Sequence, residues 1–184
     1  DGGPVLVHGG PFANIAHGTN SMIATRMALA TGADVITEGG FGFDLGGEKF
    51  LDIACRSAGI WPRAVVLVVT LKALRLHGGA ALAQAGHPDR TALVAGLPQL
   101  ERHLFSVGAY GLHPIVALNL FPEDTPQEVD VLASWCASHG VPMAASTGFA
   151  DGGAGSVALA DVVAQVVDGT DAEPAGEADE FDEL

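Results

Sequence analysis

Residues Ala64 to Val69, reading Ala-Val-Val-Leu-Val-Val, form an unbroken apolar and largely β-branched run. That is the pattern of a strand covered on both faces, and such a strand belongs in a parallel sheet flanked by helices. Thr70 ends the run. Lys72, Arg75 and His77 follow within one short segment, and Gly78 and Gly79 close it. The glycines let backbone come close to whatever those side chains hold. Cations and glycines at the carboxyl end of a buried strand mark the place where open α/β sheets bind ligands, here an anion. The same residues also read as a helix start with solvated bases and a Gly-Gly turn, and the segment alone leaves both readings open.

The rest of the chain repeats the alternation. Asn14 to Ala30 reads as a helix with Ile15, Ile23, Met27 and Leu29 on one apolar stripe. The loop before it, from Gly9 and Gly10 to Asn14, offers backbone N–H groups at a helix start, which suits an anion. Asn14 and His17 lie three apart and share a face, as a ligand pair or as a plain N-cap and a surface residue. Ala33–Thr37 is the next predicted strand, followed by Glu38 and a glycine-rich loop to Gly47. Within that loop Gly40-Phe-Gly-Phe-Asp-Leu-Gly46 has one residue too many for a dinucleotide fingerprint. The acid that should end the following strand is also missing, so a nicotinamide site is set aside. Glu38, Asp44 and Glu48 instead read as carboxylates around a glycine-lined cavity, suited to Mg²⁺, to a monovalent cation or to orienting an amine. Glu48 reads equally well as a first-turn helix acid.

Glu48–Ala58 is the next predicted helix, capped by Gly59. Leu97–Val107 is another, with Leu100, Leu104 and Val107 inward, and His113–Leu118 is a buried strand ending at Asn119. Thr125–His139 is a helix with Pro126 at its first position and a capping box between Thr125 and Glu128. Val141–Ser146 is a strand, Thr147–Gly155 a second glycine loop, and Val157–Val167 the closing helix. Strands alternating with helices of this length predict an α/β fold: three layers, a mostly parallel sheet with helices on both faces. Thr37, Thr70, Asn119 and Ser146 would then share one edge of it, with the loops gathered there.

Composition narrows the function classes. With 184 residues, 48% of them apolar, the chain can bury one sizeable core, so residues 1–167 are expected to form one globular unit. No stretch of about 18 apolar residues occurs, so no membrane span is expected. No basic, apolar leader opens the chain, and Cys55 and Cys136 stand alone without metal spacing. A reducing, cytoplasmic setting is therefore expected. The net charge is −14, and eight of the acids fall between Asp168 and Glu183 with no base among them. A tail of that composition, 168–184, is expected to be disordered. Duplex nucleic acid is excluded as a partner, because phosphate binding needs a basic face.

Four stretches carry a resemblance to a known family. They are His8-Gly-Gly-Pro-Phe-Ala-Asn-Ile-Ala-His-Gly18, Glu38-Gly-Gly-Phe-Gly-Phe-Asp-Leu-Gly-Gly-Glu-Lys-Phe50, Val68-Val-Thr-Leu-Lys-Ala-Leu-Arg-Leu-His-Gly-Gly79 and Asn119-Leu-Phe-Pro-Glu-Asp-Thr125. In this order they closely resemble formate–tetrahydrofolate ligases, over about Gly3 to Val167. Lys72 and Arg75 exchange the family's usual Arg and Lys, so charge is kept and fork geometry is not.

The resemblance implies a sheet of P-loop-NTPase-like type and an ATP-dependent ligase that joins formate to tetrahydrofolate through formyl phosphate, with Mg²⁺ accompanying ATP and a monovalent cation. Lys72, Arg75, His77, Asn14, His17 and Glu38 are then the expected catalytic residues. Gly9, Gly10, Asn119, Asp124, Phe121 and Phe149 are the expected ligand-binding residues, the two Phe rings stacking a pterin. No residue is assigned to a resident metal, and a homo-oligomer is expected. Two departures stand out. Phe149 replaces the family's Trp, and Asp151 occupies the place of a Lys. The family's phosphate-binding loop, Gly-x-x-x-x-Gly-Lys-[Ser/Thr], does not occur in these residues. The chain therefore reads as part of a ligase that needs this loop from another segment or partner chain. A folate-binding remnant without catalysis, or an assembly subunit, are the alternatives.

Overall fold

The computed structural model describes residues 5–7 and 13–169. Gly9 and Gly10, the side chain of Asn14, and the tail from residue 170 onward lie outside them. The chain divides into two compact units, Asp1–Pro62 and Arg63–Leu184.

In the first unit, α1 (Ala13–Ala16) and α2 (Met22–Leu29) replace the single helix expected over Asn14–Ala30. The break falls at Gly18, which has φ +81°. A side chain there would overlap the carbonyl oxygen of Gly46, and Gly18 O accepts the Gly40 N–H at 2.7 Å. Two backbone segments meet with no space for a Cβ, which only glycine allows. Ser21 caps α2, its hydroxyl accepting the Ala24 N–H at 3.2 Å. The expected apolar stripe is not buried: Ile15, Ile23, Met27 and Leu29 are exposed, and α2 buries Ala24 and Thr25 instead.

The strand expected over Ala33–Thr37 is not formed. Residues 34–39 pair with no described strand. Ile36 is 94% exposed, and Thr37 is held through its hydroxyl, 2.6 Å from Thr19 Oγ1. A short apolar run becomes a strand only where a neighbour supplies the ladder and a face to pack on. The next helix starts at Phe43 rather than Glu48 and runs over residues 43–58, widened to π turns at Phe43–Gly47 and Phe50–Cys55. It closes with α3 (Arg56–Ala58), where Gly59 turns left-handed at φ +63°, as its cap role predicts.

The second unit is the α/β layer. Its elements are β1 (Val65–Val69), α4 (Leu71–His77), α5 (Arg90–Ala109), β2 (Pro114–Asn119), α6 (Pro126–Ser138), β3 (Met143–Ser146), α7 (Gly148–Asp151) and α8 (Val157–Gly169). The three described strands are all parallel, in the order β1-β2-β3. Pairing Val69 with Leu118 and Asn119 with Ser146 sets Thr70, Asn119 and Ser146 level along one edge.

On one face of this sheet Val69, Val116 and Leu118 meet Leu71 and Leu74 of α4, Leu93, Leu97, Leu100 and Leu104 of α5, and Leu132 and Cys136 of α6. Leu71, Leu93, Leu118 and Leu132 leave water entirely, each contributing roughly 1.5–3 kcal/mol of burial. The alternate residues of β2, Ile115 and Ala117, are buried too, and α8 packs against β2 and β3.

The apolar run at Ala64–Val69 has a different place from the one expected. Among the described residues it is the outermost strand, and Val66 and Val68 are 38% and 64% exposed. The doubly covered strand is β2. An apolar run reports what a strand can bury, and the strand order decides what it does bury.

Candidate functional site

The carboxyl edge of the sheet carries a cavity of about 470 Å³. The loop after β2 supplies Leu120, Phe121, Pro122 and Asp124; the first turns of α6 supply Pro126, Val129 and Asp130. Thr147, Ala150 and Asp151, after β3, close the far wall. The walls are mostly apolar, and the charged side chains on them, Asp124, Asp130 and Asp151, are all acids. A cavity outside the strand ends, with an aromatic wall and a few polar groups, is where ligands bind in parallel α/β sheets.

Phe121 is 45% exposed and forms part of the wall. Its place is fixed by Asp124: the Phe121 N–H donates to Asp124 Oδ2 at 3.1 Å, and the Asp124 N–H donates to Phe121 O at 3.0 Å. Phe149, expected to stack a pterin together with Phe121, is fully exposed on α7 and is not among the wall residues, although Ala150 and Asp151 beside it are. Asn119, the last residue of β2, is exposed one position before the wall.

Behind the cavity lies a buried ionic cluster centred on Arg75. The guanidinium has no exposure. Its Nε and Nη2 donate to Glu128 Oε1 and Oε2 at 3.2 and 2.7 Å. Nη2 also donates to Asp124 Oδ1 at 3.2 Å, and Nη1 to the carbonyl of Ala85 at 3.1 Å. Glu128 in turn accepts the Asp89 N–H at 2.9 Å and the Thr125 hydroxyl at 3.1 Å. Burial by itself would raise the pKa of Glu128, but the Arg75 hydrogen bonds and the Asp89 N–H outweigh it and hold the carboxyl below its ordinary 4.5. Burial would lower the Arg75 pKa, and its two carboxylate partners hold it above the ordinary value.

This cluster revises two expectations. Arg75, expected at an incoming anion, is turned inward and already neutralised by Asp124 and Glu128. The capping box is not formed either: Thr125 makes no side-chain cap bond to α6, and Glu128 points to Arg75. The sequence carries a signal for the first. Leu71, Leu74 and Arg75 lie at i, i+3 and i+4, one face of α4, and the two leucines are core residues.

Lys72 and His77 are exposed on α4. Thr70 caps that helix, its hydroxyl accepting the Ala73 N–H at 3.0 Å. Gly78 was expected to admit a ligand to the backbone. A side chain there would overlap Ala92 O, and one at Gly96 would overlap Leu74 O, so the glycine room is filled by α5 lying against α4. In the first unit His17 and Glu38 are exposed. Among the described residues no group of three His, Cys, Asp or Glu side chains is placed to hold a metal ion, so Glu38, Asp44 and Glu48 do not converge. No helix of the described residues is long and apolar enough to cross a membrane.

A family model described as formate–tetrahydrofolate ligase matches residues 1–180. The formate–tetrahydrofolate ligase of Myxococcus xanthus is 58% identical over 174 residues, covering 95% of this chain and 32% of that protein. Those of Zymomonas mobilis and Porphyromonas gingivalis are 51% and 47% identical, covering 91% and 93% of this chain and 30% and 31% of theirs. The chain thus spans a little under one third of the length of the curated relatives it matches.

Proposed function

The chain belongs to the formate–tetrahydrofolate ligase family, and from that premise we propose that its second unit is the folate-binding part of such a ligase. The observation that carries the reading is the cavity at the carboxyl edge, walled by Phe121 and open between the loops after β2 and β3. Phe121 offers a flat ring a stacking face. Asp130 and Asp151 offer acceptors to an N–H-rich heterocycle edge, which fits a pterin better than it fits a phosphate. Phe149 supplies the second stacking face once α7 settles on the ligand, and Asn119 lies at the rim.

In the complete reaction ATP phosphorylates formate, and the folate amine attacks the formyl phosphate to release phosphate. By residue type, Lys72 and His77 are suited to hold an acyl phosphate; Asn14, His17, Gly9 and Gly10 of the first unit are suited by type to the same task. Glu38 is suited to orient the amine. The phosphate-binding loop, with ATP and its Mg²⁺, comes from residues other than these 184. A monovalent cation, a homo-oligomer and a cytoplasmic setting accompany the same reading.

Calorimetric titration of the purified chain with tetrahydrofolate tests the proposal. Saturable binding is expected, and Phe121→Ala should weaken it by roughly 1–3 kcal/mol, the usual worth of one aromatic stacking partner. A flat titration, or identical affinity in the variant, would reject a folate site here.

A further inference from the structure

The geometry points to Arg75 as a positioning residue for ligand binding: by clamping Asp124 it holds the loop that presents Phe121 to the cavity. This rests on the folate reading for the ligand's identity, and not for the loop's order. Asp124 is the link. One carboxylate oxygen receives Arg75 Nη2 at 3.2 Å and the other receives the Phe121 N–H at 3.1 Å. Its side chain is only 4% exposed.

Arg75 is itself fixed from three directions. Glu128 takes two of its donors, and Ala85 O, from the turn before α5, takes a third. Glu128 is anchored by Asp89 N and Thr125 Oγ1, so the clamp ties α4, the start of α5 and the start of α6 to one loop. A guanidinium can do this because its N–H groups diverge in a rigid plane, four of them being used here. The Phe121 ring, 45% exposed, has little packing to order it, so its placement depends on the backbone that Asp124 holds.

Two measurements on the full chain decide the matter. In the first, amide exchange of residues 119–125 is followed in the wild type and in Arg75→Met, which removes every donor of the clamp. Exchange at Phe121 should quicken roughly ten- to a hundredfold, as for loss of one charge-assisted hydrogen bond, while β2 and α5 stay protected. Asp124→Asn is the second variant should Arg75→Met fail to fold. Its amide places an N–H₂ against either Arg75 or the Phe121 N–H, so it breaks one link with the Arg75–Glu128 pair intact.

The second measurement is a double-mutant cycle on tetrahydrofolate affinity. Arg75→Met should weaken binding about tenfold in the wild type and less than about twofold in Phe121→Ala, because the clamp acts through that ring. Equal loss in both backgrounds overturns the proposal, as does unchanged exchange at Phe121, or exchange that quickens equally throughout the unit. A wild-type chain that binds no tetrahydrofolate defeats the folate reading alone, and the exchange result then judges the clamp by itself.

Discussion

Taking Arg75 wholly out of water costs several kcal/mol before any partner is counted. Two carboxylates and a carbonyl offset that, and the balance is sensitive to each. Replacing Glu128 by Gln leaves the guanidinium short of its best acceptor, and breaking a buried pair in this way costs roughly 3–5 kcal/mol. The pH dependence follows from the direction of the Glu128 shift. Its native pKa lies below the ordinary 4.5, so its contribution is complete above that value and is lost as pH falls through the lower native one. The urea midpoint of the wild type should therefore be steady above about pH 5 and fall below it. The gap between wild type and Glu128→Gln should close over the same range. A gap that persists unchanged to pH 3 would show that ionised Glu128 is not what stabilises the cluster. The chemistry of this cluster was half legible in the residues. Leu71, Leu74 and Arg75 on one helical face gave away the inward turn, whereas the partners of Arg75 lie 49 and 53 positions away. Local pattern explains Glu128 equally well as a cap.

At the scale of elements, the contact between α4 and α5 depends on two glycines. Gly96→Ala sets a gain against a loss. Alanine favours a helix interior by about 1 kcal/mol, but its Cβ would overlap Leu74 O, and backbone cannot swing aside as a side chain does. The loss should exceed the roughly 1–3 kcal/mol typical of an overpacked core, so destabilisation wins. Gly108→Ala, in the same helix with open space around it, should instead stabilise by up to about 1 kcal/mol. Melting temperatures moving in the same direction for both variants would contradict this packing. Elements with their own signals were read correctly: Pro126 opens α6, Gly59 closes α3, and the inward positions Leu100, Leu104 and Val107 are buried. Those that depend on distant neighbours were not. Ala33–Thr37 had strand composition without a ladder, and Gly18 broke a helix because another backbone crosses it. The apolar run of β1 reads the same at the middle of a sheet as at its edge.

At the scale of the whole molecule, the two halves of the family's chemistry make different demands. Stacking a pterin needs a cavity, one or two rings and some acceptors, and the second unit offers these within 63–184. Phosphoryl transfer needs a loop whose Lys and backbone N–H groups surround the β- and γ-phosphates, and no such sequence occurs in these residues. Removing a single preorganised donor from a charge-stabilising site commonly slows a reaction about 10²–10³-fold, and here the entire cradle is lacking. Arg75 does not substitute, being neutralised by Asp124 and Glu128, and the acidic wall of the cavity disfavours a phosphate further. The two activities should therefore separate in the 184-residue chain. Tetrahydrofolate should bind, while 10-formyltetrahydrofolate formation from formate, ATP and tetrahydrofolate should stay at the level of a reaction without protein. Adding a chain that carries the phosphate-binding loop should raise that rate only if the two assemble, which sedimentation of the mixture reports independently. Steady turnover by the purified chain, free of host enzyme, would mean that some group among these residues holds the ATP phosphates, and Lys72 and His77, the exposed cationic positions on α4, would be the first to replace.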